Sequence, residues 1–237
     1  MTEMHAEASP ARRGTTVDFP ADGRGARGYL SLPPGGTGPG VLVLQEWWGL
    51  VDHVLDVADR FAAEGFVALA PDLYHGERTT SPDAAAKLRM ALDIARAGVD
   101  LRGAAAYLRA HEAVRPKRVG VVGFCMGGQL ALFAACEHPD AIDAAVDFYG
   151  IHPRVELRTD RLRAPVLGHF GREDQSVPLD RVAELFGAIR ARGVEAEYHV
   201  YEAGHAFFND QRPQVYRPDD AAVAWGRTVE FFRRHLG

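Results

Sequence analysis

The chain of 237 residues reads as an α/β protein with a mostly parallel central sheet of about eight strands, antiparallel at its N-terminal start, and helices on both faces. Two observations carry this. From Val41 onward, short β-rich runs alternate with amphipathic helical stretches, the pattern of strands joined by helical crossovers. Before Val41 lie two β-rich runs with no helix between them, which predicts a hairpin.

Each element has a local reason. Residues 15–19 and 27–32 flank Asp22-Gly23, a dipeptide suited to the positive φ of a tight hairpin turn. The further strands are expected at 41–44, 66–70, 118–122, 144–148, 165–170 and 195–201. Residues 33–40, rich in Pro and Gly, form a turn too short to link domains. Asp52 is the expected cap of a helix that places Val54, Leu55, Ala58, Phe61 and Ala62 on one face before Gly65 stops it. Ser81-Pro82 reads as a cap followed by proline in the first turn, opening a helix toward Arg96. Gly98 then separates it from a helix over 100–110, with Leu101, Ala104, Ala105 and Leu108 at helical spacing. Helices over 126–137, 179–192 and 218–235 complete the set. Residues 1–14 are expected to be a disordered tail and 15–237 a single domain.

Composition narrows the function classes. At 47% hydrophobic, 25% charged and mean hydropathy -0.16, the chain has the profile of a soluble globular domain. A net charge of -5 with pI ≈ 6.1 argues against nucleic-acid or anionic-membrane partners, which favour a clustered basic surface. Cys125 and Cys136 fall on one expected helix, their backbones about 16 Å apart at roughly 1.5 Å per residue, far beyond disulfide reach. No secretory signal pattern is seen in residues 1–14, and no apolar run approaches the roughly 18 residues of a membrane span. The expectation is a cytoplasmic protein, a monomer or homodimer, acting on a small molecule. No HxH or HxxxH spacing occurs among the ten histidines, so no metal site is expected.

Mostly parallel sheets bind ligands at the carboxyl ends of their strands. After 118–122 comes Gly123-Phe124-Cys125-Met126-Gly127-Gly128 and then a helix, the G-x-S-x-G nucleophile elbow with cysteine in place of serine. Small flanking residues let strand and helix approach closely, and the helix start aims N–H groups at developing negative charge. The bland alternative is a buried, inert cysteine, the reading given to Cys136. After 165–170 comes a loop with Glu173 and Asp174, and after 195–201 comes Gly204-His205. Asp174 is preferred because it precedes the Val177-Pro178 turn into the next helix, leaving Glu173 as a solvated charge. His199 lies within its strand and reads as structural. The order nucleophile, acid, histidine is that of α/β-hydrolases. After 41–44 comes Gln45-Glu46-Trp47-Trp48-Gly49, whose loop in that fold supplies the second oxyanion amide. The amides of Met126 and Trp47 are therefore the candidate oxyanion donors. Glu46 is either a working carboxylate or a rim or ion-pair residue.

Gln45-Glu46-Trp47-Trp48-Gly49, Pro71-Asp72-Leu73-Tyr74, Gly123-Phe124-Cys125-Met126-Gly127-Gly128, Asp174 with Val177-Pro178, and Gly204-His205-Ala206-Phe207 together resemble the dienelactone hydrolase (carboxymethylenebutenolidase) family of the α/β-hydrolase superfamily. The likeness runs in order from about Thr16 to Leu236. It implies a lactone or activated-ester hydrolase without cofactor or metal, in which Cys125 is the nucleophile, His205 its base and acid, and Asp174 the orienting acid. It also implies that Glu46 pairs with the resting thiol. A carboxylate there should raise the thiol's pKa, because like charges disfavour joint ionisation. The family holds its substrate's carboxylate with two arginines, whose matching positions here are Asn209 and Pro82. Arg78 and Arg89 lie near but out of register. Without a clamp, a neutral ester is expected to turn over at least as well as a free acid. The substrate pocket is expected to include Trp48, Tyr74, Arg78, Arg89 and Phe207. A general carboxylesterase or thioesterase on this scaffold, and a non-catalytic binding module or thiol sensor, are the alternatives.

Overall fold

The computed structural model describes residues 12–150 and 155–237. One eight-stranded sheet runs through it, in the order β1-β2-β4-β3-β5-β6-β7-β8. The strands are β1 (Thr15–Ala21), β2 (Arg24–Ser31), β3 (Gly38–Leu44), β4 (Val67–Pro71), β5 (Val114–Phe124), β6 (Ala144–Phe148), β7 (Val166–Gly171) and β8 (Ala196–Tyr201). β2 pairs antiparallel with both β1 and β4, and every other neighbouring pair is parallel. The hairpin turn lies at Asp22 and Gly23, with φ of 50° and 76°. β5 is longer than its apolar run, because Val114 pairs with Gly38 ahead of a register shift.

Strands β3 and β4 and the second half of β5 are apolar because both faces of the sheet are covered there. Leu42 and Leu44 of β3, Val67 and Leu69 of β4, and Val119 and Val121 of β5 point into one core. Their alternates Val41, Val43, Ala68, Ala70, Val122 and Phe124 point into the other. Helices α3 (Ile94–Ala110), α4 (Met126–Glu137) and α5 (Leu179–Ala191) close the first core. Helices α1 (Asp52–Ala63) and α6 (Pro218–Leu236) close the second. Each fully buried Leu, Val or Phe contributes roughly 1.5–3 kcal/mol by leaving water. The sheet is therefore a rigid base for the loops at its carboxyl edge.

Three local expectations are corrected. The helix opened by Ser81 is α2 (Pro82–Ala91), which ends before Arg96, because Asp93 caps a new helix and accepts from Arg96 N at 3.1 Å. Gly98 is thus interior to α3, and its missing side chain makes room for the Phe133 ring. Asp52 is the first helical residue of α1, and Val51 holds the cap position. Of the stretch expected as a tail, residues 1–11 lie outside the described residues. Arg12 pairs with Asp52 at 3.1 Å, and Gly14 N donates to the Tyr29 hydroxyl at 2.7 Å.

Candidate active site

The turn from β5 into α4 holds Cys125 at φ 53°, ψ -121°, a conformation that costs a non-glycine residue on the order of 1–3 kcal/mol. Cys125 N donates to Phe148 O at 3.0 Å, and Gly128 N donates to Cys125 O at 3.0 Å, so the bend is fixed from both sides. A methyl group at Gly123 would land on the Gly127 carbonyl, and one at Gly127 on the carbonyls of Leu44 and Gln45. This close approach sets the start of α4 against the loop after β3. Met126 is the first residue of α4, so its N–H lies ahead of any intrahelical acceptor, at the positive end of the helix dipole.

Two further strand ends converge on the sulfur. Asp174, beyond β7, has a fully buried side chain that accepts from His205 Nδ1 at 2.6 Å and from Ser176 N at 2.8 Å. Glu173 is exposed. Burial alone would lower the pKa of His205. The hydrogen bond to Asp174, then the hydrogen bond and charge of Cys125, outweigh it and push the imidazole up to about 10. His199 instead stacks on the buried His169 at 6.0 Å within the sheet.

Glu46, 2% exposed, accepts from Asn209 Nδ2 at 2.8 Å through Oε2, while Oε1 is buried with no hydrogen-bond partner among the described residues. Beside it stands Tyr149, directly after β6, with its ring edge-on to His205 at 5.1 Å. Burial first, then the charge of Glu46, raises the Tyr149 phenol well above its ordinary pKa. A second aspartate, Asp147 of β6, lies fully buried against Gly128 and the Gly150 backbone. Burial pushes it up to about 8, only partly opposed by the Gly150 amide and the His205 charge.

These groups surround a cavity of about 340 Å³, walled by Glu46, Trp47, Trp48, Cys125, Tyr149 and His205, with Met126, Ser176 and Val177 on its sides. Arg89 of α2 and Arg212 of the segment after Asn209 also line it. Arg89 lies over the Trp47 ring at 5.7 Å and Arg212 over the Trp48 ring at 5.2 Å; the two indoles meet edge to face at 4.9 Å. Two guanidinium groups therefore stand at this cavity, although neither comes from Asn209 or Pro82, the positions that match the family's arginines.

The cavity thus brings together Cys125, Met126, His205, Glu46, Trp47, Trp48 and Arg89, with Asp174 behind His205. Three expected pocket residues stand elsewhere. Phe207 is fully buried between Tyr149 and Tyr201, because Ala206 at φ 62° turns the ring inward. Arg78 is exposed and lines a surface cleft beside Tyr29 and Asp72. Tyr74 is buried beneath the site, its hydroxyl 3.4 Å from Met126 Sδ, because Asp72 bends the chain by accepting from the amides of Tyr74 and Gly76. Tyr149 and Arg212 were not anticipated. The strand-end rule that selected Cys125 and His205 would have found Tyr149 after β6; no sequence signal marks Arg212.

Comparison with known proteins now fixes the family. The dienelactone hydrolase family model matches residues 26–236. The chain belongs to the dienelactone hydrolase family. It is 38% identical over 236 residues to Protein usf of Aquifex pyrophilus, covering 94% of this chain and 99% of that one. It is 34% identical to an Aquifex aeolicus protein named "Putative carboxymethylenebutenolidase", with the same two coverages. Among solved structures, a dienelactone hydrolase-like promiscuous phosphotriesterase from metagenomic libraries superposes with TM-score 0.83 at 26% identity, over 94% of this chain and 98% of that one. This member of the dienelactone hydrolase family is an ester or lactone hydrolase with the α/β-hydrolase fold. Among the described residues, no helix is long and apolar enough to cross a membrane.

Proposed function

We propose that the enzyme opens small lactones or activated esters through a thioester acyl-enzyme on Cys125. The observation that carries this reading is the chain of contacts from buried Asp174 through His205 to the Cys125 sulfur, at the edge of a cavity that Trp47 and Met126 also line. The thiolate adds to the carbonyl carbon, and the amides of Met126 and Trp47 hold the resulting oxyanion. The C–O bond then breaks, and His205 gives its proton to the leaving oxygen. A water deprotonated by His205 attacks the thioester, releasing the acid and regenerating the thiol. Acylation turns the sulfur into a neutral thioester, which removes the Cys125 contributions that hold the imidazole high. The same histidine is thereby more readily deprotonated and serves as the base of the second half-reaction.

The rim refines the substrate. Arg89 and Arg212 place positive charge at the cavity, and arginine suits planar carboxylates. A substrate with a free carboxylate on its acyl part is therefore favoured over its neutral ester, the reverse of the expectation drawn from register alone. A turnover screen of enol-lactones, aryl esters and thioesters on wild type and Cys125→Ala tests the reading. Lactone or ester turnover that vanishes in the variant supports it; turnover that persists there, or none in wild type, defeats it.

A further inference from the structure

A second cavity of about 350 Å³ adjoins the first and shares Trp48 and Arg212 with it as a common wall. Its character differs. No carboxylate lines it, and Arg212 is its one fixed charge among the described residues. The rest of its polar lining is neutral: the hydroxyls of Thr79 and Thr80 and the amides of Asn209, Gln211 and Gln214, of which Thr80, Gln211 and Gln214 are exposed. Buried His53 also lines it. Its Nδ1 is 3.2 Å from Asp210 Oδ1, while its Nε2 is buried with no hydrogen-bond partner among the described residues. Val51, Pro82 and the Trp48 ring supply apolar surface.

Neutral amides and hydroxyls both donate and accept, and so match groups that do the same, namely alcohols. An indole face suits the C–H side of such a group. Position adds the rest. His205, which protonates the leaving oxygen, is followed on the same stretch of chain by the residues 209–214 that wall the second cavity. The two cavities meet at Trp48 and Arg212, so an alcohol part that extends from a carbonyl at Cys125 past these residues reaches the second cavity.

We infer that the second cavity receives the alcohol part of an ester substrate, and that this part is a polyol of the glycerol or sugar type. The inference rests on the ester-hydrolase reading of Cys125. It favours an ester over a simple lactone, since a lactone keeps its leaving oxygen tethered and small.

Matched monoesters of succinic acid test it: the methyl ester and the 2,3-dihydroxypropyl ester, assayed on wild type and on the Gln211→Ala/Gln214→Ala double variant. Wild type is expected to favour the dihydroxypropyl ester by about tenfold in kcat/KM, the worth of one to two hydrogen bonds. The double variant should bring the two esters to within about twofold by losing only the dihydroxypropyl advantage. Methyl-ester turnover, which does not reach these side chains, is the internal check on folding. Equal kcat/KM for both esters in wild type, or a preference that survives the double variant, overturns the inference alone. Absence of turnover of both esters and of p-nitrophenyl acetate overturns the ester-hydrolase reading and the inference with it.

Discussion

The floor and the rim of the catalytic cavity are built by different means. The floor consists of strand ends: Cys125 after β5, His205 after β8, Asp174 after β7 and Glu46 after β3, each fixed by a short turn on a rigid sheet. The rim consists of side chains reaching in from α2 and from residues 209–214, where Arg89 and Arg212 rest on two indoles. Floor geometry is dictated within a few residues of each strand, whereas rim geometry depends on how distant segments dock. The proposed mechanism accordingly assigns chemistry to the floor and selectivity to the rim.

The strongest test of that division is removal of floor residues. Cys125→Ala and His205→Ala should each lower kcat by about a thousandfold or more, as in other nucleophile–histidine pairs. His199→Ala, which alters only a stack within the sheet, should retain most activity. Steady-state kinetics with an aryl ester checks all three; a large loss in His199→Ala with a small one in His205→Ala would reverse the assignment.

The two aspartates sharpen the comparison within the floor itself. Asp174 is satisfied by His205 and Ser176, so Asp174→Asn should cost about a hundredfold or more in kcat by misorienting the imidazole. Rim substitutions come next. Arg212→Ala or Arg89→Ala should raise KM for a carboxylate-bearing substrate by roughly tenfold, the worth of a charge-assisted contact, while leaving its neutral methyl ester nearly unchanged. Equal losses for both substrates would show that these arginines shape the cavity and do not select charge.

Glu46 gives a smaller and more diagnostic effect. Glu46 shares the cavity wall with Cys125, and its carboxylate opposes negative charge placed beside it. Glu46→Gln should speed alkylation by iodoacetamide a few-fold at neutral pH, while turnover falls. Slower or unchanged alkylation would make Glu46 a partner of Asn209 only.

Asp147 should leave turnover almost untouched and move stability. Its folded pKa of about 8 lies above the ordinary 3.8, so the folded state binds the extra proton between those values. Its contribution is fully present below about pH 4 and is lost as pH rises through about 8. Asp147→Asn keeps the shape of the protonated acid and should remove this slope. The melting temperatures of variant and wild type, compared at pH 5 and pH 8, should diverge in the variant's favour at the higher pH; parallel shifts would mean the carboxyl is not held protonated.

The sequence made the floor legible because its signals are local. A strand, a small-residue turn and a helix start identify Cys125, and the acid and histidine loops follow two further strands in the expected order. The sheet was legible for the same reason, from alternation and turn residues. What escaped was set by tertiary contact. Gly98 reads as a break yet is a packing site for Phe133, and Asp93, three residues before Arg96, redirects the chain into a new helix. Phe207 follows the histidine closely in sequence, but a single positive φ at Ala206 turns it into the core. Arg212 reaches the cavity through a segment with no regular structure, so neither periodicity nor register announces it.

In the proposed mechanism, chemistry proceeds through a covalent thioester on Cys125. Acid-quenching wild type in the pre-steady state with p-nitrophenyl acetate, followed by peptide mass spectrometry, measures this directly. The account predicts one acetyl group on the peptide containing Cys125, formed in a burst with p-nitrophenolate and lost at the turnover rate, with none in Cys125→Ala. Acetyl on another residue, or full turnover with Cys125 never modified, would contradict it.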